Sequence, residues 1–222
     1  MNLRIQEVFK YLLPGFVIIM ILFICSLIDF KDIQLNYFNG KNEGVLLLLS
    51  TFLIFLLGYL VDLVSSDFEK RYYRCFMKPS EKLLSQKDKE IKLSSADKII
   101  EYLSAKMQKC SPKEFDKTIA EEYFRKANQL KDYNSNINSN SKLLEHYYQQ
   151  VLSRNLSVSF LISIVIFVLY TFIVGKCLFL IENWMCLVGL ILLFSFSVYR
   201  WSQHAMYYSR QVFYNSCEEV LK

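Results

Sequence analysis

Over most of this chain the apolar positions follow neither a helical nor a strand period; they gather into four nearly continuous runs. The runs cover Tyr11 to Phe30, Val45 to Ser65, Leu156 to Val174 and Phe179 to Tyr199. Each is close to the ~20 residues that a helix needs to cross a ~30 Å hydrocarbon layer. The expected fold is an all-α membrane protein with four transmembrane helices, at 11–30, 45–65, 156–174 and 179–199. The first two make an N-terminal hairpin within 1–66, and the last two a C-terminal hairpin at 156–199. A cytoplasmic helical insert, 67–155, lies between spans 2 and 3, and 200–222 forms a cytoplasmic amphipathic tail. The first run is too long for a signal-peptide core, lacks a small-x-small cleavage site and carries Pro14-Gly15 near its start.

Within the insert the pattern changes to short amphipathic stretches. The second span has no breaker until Pro79, so DFEKRYYRCFM (67–77) is expected to continue it as a stalk. A second helix fits SSADKIIEYLSAKM, capped by Ser94 or Ser95, with Ile99, Ile100, Leu103 and Met107 on one face. Ser111-Pro112-Lys113-Glu114 reads as a capping box opening a third helix, whose stripe is Phe115, Ile119, Tyr123 or Phe124, and Ala127. The polar run DYNSNINSNS (132–141) is expected as a loop, after which KLLEHYYQQVLSRNL leads helically into span 3. In the tail, Met206, Val212 or Phe213, and Val220 form an apolar side for the membrane surface or the insert. The leading MNLRIQEVFK resembles a shorter amphipathic helix, joined to its span at Pro14-Gly15, which kinks the helix or marks its start.

Composition agrees with the pattern, since 53% of the 222 residues are hydrophobic and 16% aromatic. Charge adds orientation. Of 26 basic residues, only Lys31, Lys41 and Lys176 fall in the short connectors 31–44 and 175–178. The positive-inside rule then places both termini and the insert in the cytoplasm. The insert holds 18 basic and 13 acidic residues, which equals the whole net charge of +5. Such a surface suits anionic headgroups, and no RRM, KH or helix-turn-helix signature accompanies it, so direct nucleic-acid binding is not expected. The six cysteines include no CxxC pair, which indicates neither a zinc site nor a disulfide framework, and no cofactor is expected.

The chain contains no GxSxG, HExxH, GxxxxGK[ST] or GxGxxG, and a non-enzymatic role is expected. His146 and His204 each lie about two turns from a span on the cytoplasmic side, where they can approach each other. Among the acids in the runs, Asp29 and Glu182 sit near the outer connectors. Asp62, seventeen residues after Val45, lies about 26 Å along its helix, near the cytoplasmic headgroups. Arg154 and Lys10 reach similar depth, and an ion pair that anchors the helix end is the favoured role for Asp62, with an ion path as the alternative. Gly58, one turn earlier, admits a close neighbour, and Ser159 and Ser163 make a small-xxx-small pair. Lys70, Arg71, Arg74, Arg125 and Lys126 are the candidate partner-binding residues.

The stretches YLLPGF, GYLVD, RNLS and R…YYSRQVFY, in this order around a helical insert, resemble a diffuse group of small bacterial inner-membrane proteins of phage-defence operons. The Kiwa membrane subunit and the transmembrane effectors of cyclic-nucleotide signalling systems are of this kind. The resemblance carries no catalytic residue. It implies a membrane sensor or effector that oligomerises in the lipid bilayer and couples to a cytosolic protein partner through 67–155. The competing class is an ion channel or small transporter using Asp62.

Overall fold

A computed structural model describes residues 2–27, 43–84, 96–109, 112, 116–134, 137–173 and 181–217. Among these, all regular structure is helical. The helices are α1 (Asn2–Leu27), α2 (Glu43–Cys75), α3 (Pro79–Leu84), α4 (Ala96–Met107), α5 (Lys117–Asn134), α6 (Ile137–Ile173) and α7 (Ile181–Ser216). Four of them, α1, α2, α6 and α7, are long and apolar enough to cross a membrane. Many of their large apolar side chains face outward, including Leu48, Phe52, Met185, Leu192 and Phe172, the last 84% exposed. A water-soluble bundle would turn these groups inward.

The chain divides into two compact units, one of Met1–Glu69 with Val151–Trp201 and the other of Lys70–Gln150 with Ser202–Lys222. In the first, α1 is the shared element. Ile18 packs with Val61 of α2 and Val158 of α6, whereas Ile21 and Cys25 pack with Phe167 of α6 and Leu187 of α7. Pro14 lies inside α1, so NLRIQEVFK (2–10) and the first span are one helix and the proline marks no start. One face of α6 carries Asn155, Ser159, Ser163, Phe167 and Thr171 at four-residue intervals, all buried. The expected small-xxx-small pair is therefore spent on packing inside this unit.

The second unit has its own core. Leu83 and Leu84 of α3, Ile99, Ile100 and Leu103 of α4, Ala120, Tyr123 and Ala127 of α5 and Leu143 of α6 meet Val212, Phe213 and Cys217. The tail thus belongs to the same unit as the insert, and α7 reaches it without interruption. Burial pushes the Cys217 thiol above its ordinary range, while a hydrogen bond with Ser216 pulls it the other way. The 3.6-residue stripe of α4 puts its apolar residues on the core, with Met107 packed at the edge. That helix closes with Gln108 at φ 55°, where the Gln108 N–H bonds to the Ala105 carbonyl and the Lys109 N–H to the Ser104 carbonyl. This is the left-handed closure that satisfies the last carbonyls of a helix.

Two local expectations change. Helix α5 begins at Lys117 and its cap is Asp116, whose Oδ1 accepts the Ile119 N–H at 2.8 Å. Ser111, Lys113, Glu114 and Phe115, which suggested an earlier start, lie outside the described residues, as do Ser94 and Ser95. The expected loop at 132–141 is also largely helical, because α5 runs to Asn134 and α6 starts at Ile137. Polar composition there sets solubility, and the backbone bonds of two adjoining helices extend into it.

Between α4 and α5 the Ser104 hydroxyl donates to the Ile100 carbonyl at 2.7 Å and lies 2.6 Å from the buried Tyr123 hydroxyl, whose proton it accepts. Tyr123→Phe removes that proton and is expected to lower stability by about 1 kcal/mol, whereas Tyr123→Ala also opens a cavity and costs about 3 kcal/mol or more. Thermal unfolding of the full chain in detergent measures both, and a Tyr123→Phe protein as stable as the wild type would show that the hydroxyl contributes nothing.

Candidate functional site

The site begins with a missing hydrogen. Pro14 has no N–H, so the Lys10 carbonyl, four residues earlier, loses its donor within α1. In an apolar unit such a carbonyl is costly unless something else donates to it. Asn155 of α6 does so, with Nδ2 at 3.3 Å. The second hydrogen of the same amide goes to Asp62 Oδ1 of α2 at 3.0 Å, and the amide oxygen accepts from the Ser65 hydroxyl at 2.6 Å. All capacity of the Asn155 amide but one lone pair is used, and both Asn155 and Ser65 are fully buried. One side chain thereby ties α1, α2 and α6 together. A flipped amide would point its oxygen at two acceptors, which fixes its orientation.

The next residue on α6 supplies the charge. Arg154 donates through Nη2 to Asp62 Oδ1 at 2.9 Å and through Nη1 to Glu69 Oε2 at 2.6 Å. Asp62 and Glu69 stand seven residues apart on α2, which puts them two turns apart on one face, about 10 Å along the axis. The Arg154 side chain is only 13% exposed, so its pairing is far less screened than a surface ion pair. Removing its charge would leave two carboxylates facing a partly buried gap, a change that ordinarily costs about 3 to 5 kcal/mol.

Close backbone contact makes this geometry accessible. A β-carbon on Gly58 would lie 1.8 Å from the Tyr11 carbonyl oxygen, and one on Gly15 would lie 1.8 Å from that of Ile54. Each glycine therefore turns its α-hydrogen toward the facing carbonyl, a reciprocal contact between antiparallel helices. The Tyr11 ring then packs edge-on to Phe55, with centroids 5.4 Å apart.

The structure brings Asp62, Gly58 and Arg154 into one neighbourhood. Lys10 joins through its carbonyl, and its ammonium sits 4.6 Å over the Tyr11 ring. Lys70, Arg71 and Arg74 follow on the exposed side of α2, while Arg125 is exposed and Lys126 half-buried on α5. His146 and His204 have ring centroids 6.3 Å apart, and Tyr207 stacks on His146 at 5.6 Å. Among the described residues no group of three or more His, Cys, Asp or Glu could hold a metal ion. Asp29, the Glu182 side chain, the connector lysines and Val220 lie outside the described residues. Asn155, Ser65 and Glu69 were not expected. Their signals were the Asp62, Ser65, Glu69 spacing on one helix face and the proline four residues after Lys10.

Compared with protein-family models, curated proteins and solved structures, the chain matches none.

If Asn155 stands in for the Pro14 N–H, the two positions are coupled. Asn155→Ala is expected to destabilise the protein, and by about 1 kcal/mol less in a Pro14→Ala background, where the restored N–H takes the Lys10 carbonyl. Denaturant unfolding of the four proteins in detergent gives this difference, and equal losses in both backgrounds would remove the carbonyl from the account. Gly58→Ala is expected to cost about 1 to 3 kcal/mol, because α1 must move away from α2.

Proposed function

We propose that this chain is a non-enzymatic, multi-pass protein of the bacterial inner membrane that oligomerises in the bilayer and couples to a cytosolic protein partner. Both termini and residues 67–155 face the cytoplasm in this reading, and its setting is antiviral defence, as the resemblance of its short motifs implies. The observation that carries it is the continuity of α2, α6 and α7. Each contributes to the unit with the outward apolar side chains and, in the same unbroken helix, to the unit built from the insert. A partner that displaces one of these helices in the insert acts on a rod that continues into the lipid-facing unit.

Asp62 supports this role over an ion path. Its Oδ1 already receives an arginine and an asparagine donor, and the arginine is shared with Glu69. An acid so engaged holds helices in place. The basic side chains of α2 and α5 supply the surface on which an acidic partner would dock.

The test is crosslinked capture through the insert, from cells that express the chain with its neighbouring genes. Arg71→Glu with Arg74→Glu is expected to reduce recovery of the partner about tenfold or more, while the amount of protein in the membrane fraction stays the same. An insert that captures nothing, together with liposome conductance that Asp62→Ala abolishes without harming assembly, would replace this reading with the channel.

A further inference from the structure

Where α2 ends, the chain bends through Met77 and Lys78 and starts α3 at Pro79. The bend encloses a pocket of ≈ 300 Å³ between the last turn of α2, α3 and Met206 of α7. Its walls include Tyr72, Cys75, Phe76, Pro79, Lys82 and Met206, all in one compact unit. Tyr72 and Phe76 stand one turn apart with rings stacked at 4.5 Å and 25°. Phe76 is nevertheless 57% exposed, a large aromatic surface held in place with one face uncovered. Such a pairing of a fixed ring face with a few polar groups is how small-molecule sites are commonly built.

Charge narrows the class of ligand. Residues 70–82 contain Lys70, Arg71, Arg74, Lys78 and Lys82 against one acid, Glu81. Lys78 pairs with Glu121 of α5, and Lys82 is the cation in the pocket wall. A lysine ammonium serves as a point charge for phosphate, and the Tyr72–Phe76 pair offers a surface for an apolar group attached to it. We infer that this pocket binds an organic phosphate, its apolar portion against Phe76 and Tyr72 and its phosphate at Lys82.

Two sources have this chemistry. Tyr72 lies ten residues beyond Asp62, about 15 Å along α2, within reach of a phospholipid headgroup if α2 crosses the membrane as proposed. A soluble aromatic phosphate reaches it whether or not that reading holds. Failure of the lipid source alone therefore leaves the pocket standing.

The experiment is native mass spectrometry of the full chain in detergent with dioctanoyl phosphatidylglycerol or phenyl phosphate, and with inorganic phosphate as the comparison. The wild type is expected to retain one of the two organic probes more strongly than inorganic phosphate, and the probe retained names the source. Phe76→Ala and Lys82→Gln are each expected to weaken retention about tenfold, and Lys142→Gln, at an exposed position of α6 away from the pocket wall, to leave it unchanged. Bound probe is also expected to slow alkylation of Cys75, read on its own peptide. Retention unaffected by Phe76→Ala and Lys82→Gln, retention of neither probe at millimolar concentration, or inorganic phosphate held as well as both would overturn the assignment.

Discussion

The first unit depends on a carbonyl that its own helix does not satisfy. Pro14 removes the donor from Lys10, and the Asn155 amide of α6 reaches the gap. Placing that amide sets the rotation of α6 about its axis, because the same nitrogen must also reach Asp62. Arg154, one residue earlier, is then carried to the acids of α2. The glycine contacts belong to the same constraint, since Asn155 must reach the Lys10 carbonyl of α1 and Asp62 of α2 at once, and the two glycines let α1 and α2 lie that close together. A bulkier residue at either glycine would move the carbonyl out of reach.

Polar satisfaction of this kind is expensive to leave unmade and modest in net gain when made. Its consequence is specificity more than strength. Apolar side chains alone let long helices slide or rotate against each other with small penalties, because one apolar contact replaces another. An amide with two donors placed and one acceptor filled admits a single arrangement. The second unit uses the same device between α4 and α5, where Tyr123 and Ser104 meet inside an aliphatic core. Each unit thus combines buried polar contacts that fix register with apolar packing that supplies most of the stability.

Long apolar runs were readable from the sequence because length and composition alone decide whether a helix can span a lipid layer, and the stripe of α4 was readable because its period is 3.6. The start of α5 was not. Ser-Pro-x-Glu and an aspartate five residues after its serine are both good caps by local pattern, so the sequence alone does not point to Asp116, the residue that caps the helix starting at Lys117. The helical ends at 132–141 were hidden for a different reason, since asparagine and serine signal turns by composition yet continue a helix whose turns before or after them are packed. Of the polar cluster, Asp62 and Arg154 stood out as charges in apolar surroundings. Asn155 did not, because its role exists only once Pro14 and Lys10 are seen to be in reach of it.

That distinction bears on what the cluster can do. A proton relay through an acid needs groups that both give and accept a proton as it passes. Arg154 gives hydrogen bonds but does not lose its proton, and Asn155 has no proton to exchange at neutral pH. Asp62 Oδ1 is occupied by both. The same geometry that makes Asp62 a poor carrier makes it a good latch, and α2 continues from it through Glu69 into the aromatic pocket at Tyr72 and Phe76 without a break in the helix.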